Sequence, residues 1–167
     1  MSAMHHQPDG PAFDIVLLLH VGCVVVGVVT TATAAATATR LRRLLGSSLP
    51  LPETLRRYFR PGVNWAGRTV YGIPVFGFAL LAMSQGAYAL GQGWVLGGLA
   101  IFAALALLGE GALWPAERRL QVALSTSDAA EGPSEELLDR DVTTMSRAAL
   151  AALVLLAAGT VLMVAQP

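Results

Sequence analysis

Three side chains with chemical potential sit where an apolar chain tolerates them least. His20 lies inside the apolar run Ile15–Ala38, Arg68 just ahead of Val70–Leu90, and Glu110 near the end of Trp94–Trp114. Charged groups inside such runs are costly, and where they persist they mark proton relays, ion paths or ligand contacts. A buried carboxylate can exchange a proton, an arginine at matching depth can pair with it, and a histidine can ligate haem. Glu110 precedes Arg118 by two helical turns, roughly 12 Å, and Arg68 follows Asn64 by one turn, roughly 6 Å. A long arginine side chain spans that difference, so an Arg68–Glu110 ion pair is expected. Thr30 and Thr31 fall at the same level of the first run and complete an expected intramembrane polar cluster. Two readings stay open: the cluster locks the helices together, or it handles a proton, an ion or a small ligand.

His20 lies too far from Glu110 along the first run to join that cluster. As a haem or copper ligand it would need a second ligand, from Met83, Met163 or another copy of the chain. A histidine bonded to a neighbouring helix needs none, so no cofactor is expected. His5 and His6 supply two ligands where a metal site needs three or four, and no metal is expected. Cys23 is the sole cysteine, which excludes an intrachain disulfide. Phosphate-binding glycine loops, Cys-x-x-Cys pairs and His-Glu-x-x-His are absent. No catalytic residue is assigned, and the reading is non-enzymatic.

These side chains must be positioned by helices in a membrane. The chain has 167 residues, of which 54% are hydrophobic and only 13% charged, far from soluble averages. The expected fold is an all-α integral membrane four-helix bundle with spans at about 13–39, 66–90, 94–115 and 146–165. An external tail (1–12) precedes it, and cytoplasmic loops (40–65 and 116–145) connect it. The tail lacks Lys and Arg, unlike a cleavable signal peptide, so the first span is expected to be retained. All eleven basic residues are arginines, and all flank the two proposed cytoplasmic loops. Arginine-rich short loops stay inside, so both termini are expected outside the bacterial cytoplasmic membrane. Arginine in place of every lysine, with alanine-rich spans, suggests GC-rich bacterial coding. The first loop carries seven arginines against Glu53, the second four against seven acids. The first is expected to hold anionic lipids or to dock on the second; nucleic acid is not an expected partner.

Within the first span, Cys23, Gly27, Thr31, Ala35 and Thr39 recur every fourth residue as a ridge of small side chains. Such ridges let membrane helices approach closely, and the threonine hydroxyls can bond back to their own helix. This helix should be central. Leu51, Leu55, Tyr58 and Phe59 share one side of a short amphipathic segment between Pro52 and Pro61, expected to lie at the inner interface. Pro74 should bend the second span. The glycine-rich hairpin Ser84–Gly93 should leave spans two and three adjacent, with Pro115 bending the third helix as it continues into the cytoplasm. Trp94 and Trp114 should mark the two interfaces. Asp14 and Ser134 are expected helix caps.

The run Arg68-Thr-Val-Tyr-Gly-Ile-Pro74, with Glu110-Gly-Ala-Leu-Trp-Pro-Ala-Glu-Arg118 after the hairpin, resembles small bacterial four-helix predicted integral membrane proteins of unknown function. Around His20, Leu-Leu-Leu-His-Val is similar in style, and distantly so to copper-resistance-type membrane domains, whose further metal ligands this chain lacks. The likeness covers roughly Ile15 to the end. It implies the four-helix membrane fold and no activity. The expected role is therefore an accessory subunit of a membrane complex or a small oligomer, with other membrane subunits or further copies as partners. The alternatives are a small carrier or proton-linked permeation protein using Glu110 and Arg68, or a haem- or quinone-binding protein around His20.

Overall fold

The computed structural model describes residues 10–45, 50–125 and 134–165; His5, His6 and most of the linker Ser125–Pro133 lie outside them. Among the described residues the chain is helical throughout, without strands. The helices are α1 (Pro11–Leu44), α2 (Glu53–Tyr58), α3 (Trp65–Arg68), α4 (Gly72–Met83), α5 (Gly93–Leu108), α6 (Trp114–Ser125) and α7 (Glu135–Val164). A 3-10 turn at Thr69–Tyr71 joins α3 to α4, and a π turn at Gly109–Leu113 joins α5 to α6. Four continuous stretches are long and apolar enough to cross a membrane: Pro11–Leu44, Trp65–Met83, Gly93–Ser125 and Glu135–Val164. Three of these exceed the expected spans. The 34 residues of α1 reach about 51 Å, against a hydrocarbon core of roughly 30 Å.

Helix α1 is the hub. It lies against α4 on one side and α7 on the other, and α7 in turn lies against α5 and α6. Small residues set these distances. Gly27, Thr31 and Ala35 of the ridge are buried, while Cys23 is partly buried and presses on Gly72. A Cβ at Gly72 would fall 2.5 Å from the Cys23 Sγ. Between α5 and α7, a Cβ at Gly97 would meet a Leu162 methyl at 2.9 Å. The hydroxyls of Thr30, Thr33 and Thr39 donate to carbonyls one turn earlier in α1, so their polarity is satisfied locally. Thr39 itself is exposed, which ends the buried ridge at Ala35.

The densest core lies at the arginine-rich end of the bundle. Ala38 and Leu41 of α1, Leu120 of α6, and Val142 and Met145 of α7 are fully enclosed there, with Leu55 and Phe59 beside them. The amphipathic segment thus turns its apolar side onto the bundle, not onto a lipid surface. Its side chains find a deeper apolar site on the chain itself, because α1, α6 and α7 all continue past the level at which α3 begins. Trp114 is buried in the same core rather than marking an interface, while Trp65 is largely exposed.

Several local expectations change for identifiable reasons. The second span stops at Met83, not near Leu90. Ser84 Oγ bonds the Leu81 carbonyl and receives the Tyr88 N–H, and Gln85 and Gly86 take positive φ, so the chain turns. Pro74 falls in the first turn of α4 after the 3-10 turn, where few helical hydrogen bonds are at stake. At Pro115 the helix widens just upstream: Trp114 N–H bonds Gly109 O, five residues back. A π turn there relieves the clash of the proline ring with the preceding turn. Spans two and three meet through large side chains and lack the close backbone approach of the other neighbours. Asp14 lies within the first turn of α1, which begins at Pro11, and Ser134 precedes α7 without a capping side-chain bond.

The Cys23–Gly72 contact yields a test. Gly72→Val should lower stability in detergent by about 1–3 kcal/mol through overpacking, and adding Cys23→Ala should recover most of the loss. Thermal unfolding of the two variants measures this.

Candidate functional site

The polar side chains gather where α3, the π turn and α6 converge, in two layers divided by the Trp114 indole. Asn64 starts α3, its Oδ1 accepting the Gly67 N–H at 3.1 Å. One turn later, Arg68 carries its guanidinium over the Trp114 ring, 4.3 Å from the centroid. From there Nη1 donates to Glu110 Oε1 at 3.2 Å. The Tyr71 hydroxyl donates to the same oxygen at 2.9 Å. Tyr71 also stacks edgewise on Phe102 and leans on Trp114, which fixes its direction. Glu110 stands on the π turn, whose extra residue aims the carboxylate sideways out of the bundle.

This outer layer is open. The Arg68 side chain is 24% exposed and that of Glu110 is 55% exposed. Such a pair in water is worth up to about 1 kcal/mol. Its surroundings are apolar, because Leu107, one turn before Glu110, is 76% exposed.

The inner layer was not anticipated from the sequence. Glu117, two residues past Pro115 in α6, is only 5% exposed. Asn64 Nδ2 donates to its Oε1 at 3.4 Å, near the long limit of a hydrogen bond. Arg68, whose charge reaches it, is already engaged by Glu110 and Trp114. The Tyr58 hydroxyl is sealed from solvent beside Glu117, close enough to interact with its carboxylate but without a well-formed hydrogen bond. Burial pushes the Tyr58 phenol well above the usual tyrosine range, and the Glu117 charge adds to the shift. A stripe at helical spacing, Leu113, Ala116 and Leu120, was the available signal: it places Glu117 on the buried side of α6. Its neighbours Arg118 and Arg119 made it look like a loop acid.

Two clefts meet at Asn64, Trp114 and Glu117. One, of about 240 Å³ counting its open mouth, is bordered by Gly62, Arg118 and Gln121. The other, of about 450 Å³ on the same basis, runs along the bundle past Thr30, Thr31 and Ala152. The structure therefore brings Arg68 and Glu110 together, as the spacing suggested, but separates them from the threonines. Thr30 and Thr31 share their cleft with Glu117. The cause is the direction of the π turn, which rotates Glu110 to the outside.

His20 stands apart, as expected from its depth. It is 6% exposed, and its Nδ1 donates to the Ile73 carbonyl at 2.9 Å. Gly77 admits the ring, a Cβ there falling 3.4 Å from its Cε1. Met163 lines the groove beside His20, and Met83 does not. Among the described residues no three His, Cys, Asp or Glu side chains group as metal ligands. Between the loops, Arg42 pairs with Asp139 at 3.3 Å, joining the first loop to the second. Arg119 pairs with Asp141 at 2.8 Å within the latter's reach.

No family model, curated protein or solved structure matches the chain. What the fold defines is a helical protein with four helices able to cross a membrane.

The buried phenol makes a pH prediction. The folded state holds the Tyr58 proton more tightly than the unfolded chain, whose tyrosine pKa is near 10.0. Stability should be complete below that pH and fall as pH rises above it. Tyr58→Phe should remove this alkaline loss and change neutral-pH stability by less than about 1 kcal/mol, since no well-formed hydrogen bond is lost. Denaturation at neutral and alkaline pH compares the two proteins.

Proposed function

We propose that the chain is a non-enzymatic multi-pass protein of the bacterial cytoplasmic membrane, working as an accessory subunit of a larger complex or as a small oligomer. Both termini lie outside in this reading, because every arginine flanks the loops assigned to the cytoplasm. The observation that carries the reading is the open Arg68–Tyr71–Glu110 cluster. From Gly93 at the outer surface, Glu110 is about 26 Å along the helix, still within a hydrocarbon core of roughly 30 Å. An ionised pair turned toward lipid there is unfavourable by a few kcal/mol at about mid-depth, and less toward the interface. A second polypeptide covering it would remove that cost. The small size of the loops supports the same reading.

A photo-crosslinker at Leu107, on the face of Glu110, should trap a second copy or another membrane subunit in intact cells. The same group at Val154, an exposed position on α7, should trap far less. Arg68→Leu with Glu110→Leu should cut the Leu107 adduct about fivefold or more, the effect of losing roughly 1 kcal/mol of interface energy. A Leu107 probe that yields only lipid adducts, from a protein that purifies as a lone monomer, would sink the proposal.

A second reading, a proton-linked permeation protein, is favoured by one observation: the buried Glu117 at the junction of two clefts. In that reading Glu117, rather than Glu110, carries the proton. Glu117→Gln should then reduce proton-coupled flux in liposomes by about a hundredfold, the scale on which a positioned proton-transfer group acts, with helix content unchanged. Equal flux from the variant removes this reading.

A further inference from the structure

An opening lies at the other end of the bundle from the arginines, between α4 and α5. Because α1 draws α4 to one side and α7 draws α5 to the other, the two helices leave a groove of about 420 Å³ counting its open mouth. Its walls are apolar and carry three aromatic rings, Phe78, Trp94 and Phe102. One ionisable side chain lines it, His20.

The chemistry of that histidine is set by its other contact. A carbonyl only accepts, so the Nδ1···Ile73 O bond places the ring proton on Nδ1. In the neutral ring Nε2 is then an acceptor with no proton. Among the described residues no hydrogen bond to Nε2 is formed, and the imidazole is more than nine-tenths buried. An unpaired acceptor on the wall of an apolar groove calls for a donor. The aromatic walls call for a flat, apolar body. The lateral opening between two membrane-length helices calls for a molecule that lives in the bilayer.

We propose that this groove binds the head of a membrane hydroquinone, one ring hydroxyl donating to His20 Nε2, the ring lying among Phe78, Trp94 and Phe102. Its hydrocarbon tail leaves between α4 and α5 into the lipid. The site is a binding site for the reduced form. The oxidised quinone offers only acceptors to an acceptor, so it binds more weakly. Binding here is independent of the Arg68–Tyr71–Glu110 face and of any partner that covers it.

The test titrates the purified full chain in nanodiscs with a decyl-substituted 1,4-hydroquinone, its dimethyl ether and the matching quinone, reading the thermal midpoint by circular dichroism. The hydroquinone should raise the midpoint saturably. The ether and the quinone should need about tenfold higher concentration or more, because a site built around a hydroxyl rejects analogues lacking it. Leu99→Trp, which adds bulk to the groove from α5 and keeps His20 in place, should abolish the shift and leave helix content intact. His20→Phe should abolish it too; if that variant misfolds through loss of the Ile73 bond, Leu99→Trp alone decides. Equal shifts from the ether and the hydroquinone overturn the proposal, as does an undiminished shift in Leu99→Trp. No shift with any of the three probes also overturns it.

Discussion

Helices α1 and α7 can run side by side only because the side chains between them are small. Ala34, Ala35 and Ala38 on one and Ala148, Ala149 and Ala152 on the other are all buried. Lipid offers no hydrophobic drive for helices to associate, so close backbone approach and dispersion must supply it. Alanine gives that approach with no side-chain entropy to lose. Once this pair is set, α4 and α5 have fixed places on its flanks, held by Cys23 against Gly72 and Leu162 against Gly97. The position of every polar side chain follows from that arrangement.

The same arrangement divides the bundle into two unlike ends. At the arginine-rich end, α2 closes the core with Leu55 and Phe59. The inner cluster of Glu117, Asn64 and Tyr58 is enclosed there, although its hydrogen bonds are few. Buried polar groups normally find partners, so this under-satisfied set stands out against the tight apolar layer beside it. Further along the bundle Val70, Leu105, Ala152 and Leu156 form a small second core, and beyond it the bundle opens into the groove beside His20. Rigidity sits on one side and room on the other.

Much of this is legible in the residues, and what is not legible shares a cause. Apolar length announced the four helices, and the four-residue spacing of Cys23, Gly27, Thr31 and Ala35 announced the buried face of α1. Depth arithmetic placed Arg68 beside Glu110. Each of these depends on one helix or on a simple count along two. Direction was not readable, because a single extra residue in a turn redirects whatever follows. Glu110 was therefore assigned to the threonines that Glu117 in fact faces. The reach of the helices past the apolar runs was also hidden: Glu117 and Trp114 look like interface residues until α2 is seen to cover them. Tyr58 was counted for its apolar ring, and nothing in its spacing revealed that its hydroxyl would be sealed in.

The π turn at Gly109–Leu113 acts as a phase shifter. An α-helix advances about 100° per residue, so one residue absorbed in a widened turn rotates everything downstream by about that angle relative to an unbroken helix. Here that rotation lets one continuous rod present an apolar face to its neighbours along α5 and a differently oriented buried face along α6. Glu110 stands on the turn itself and points outward; Glu117 stands beyond it and points inward. Two carboxylates two turns apart, which an ideal helix would stack on nearly the same side, are thereby sent to opposite environments. One backbone hydrogen bond, from Trp114 to Gly109, separates an exposed acid from one held at the floor of two clefts.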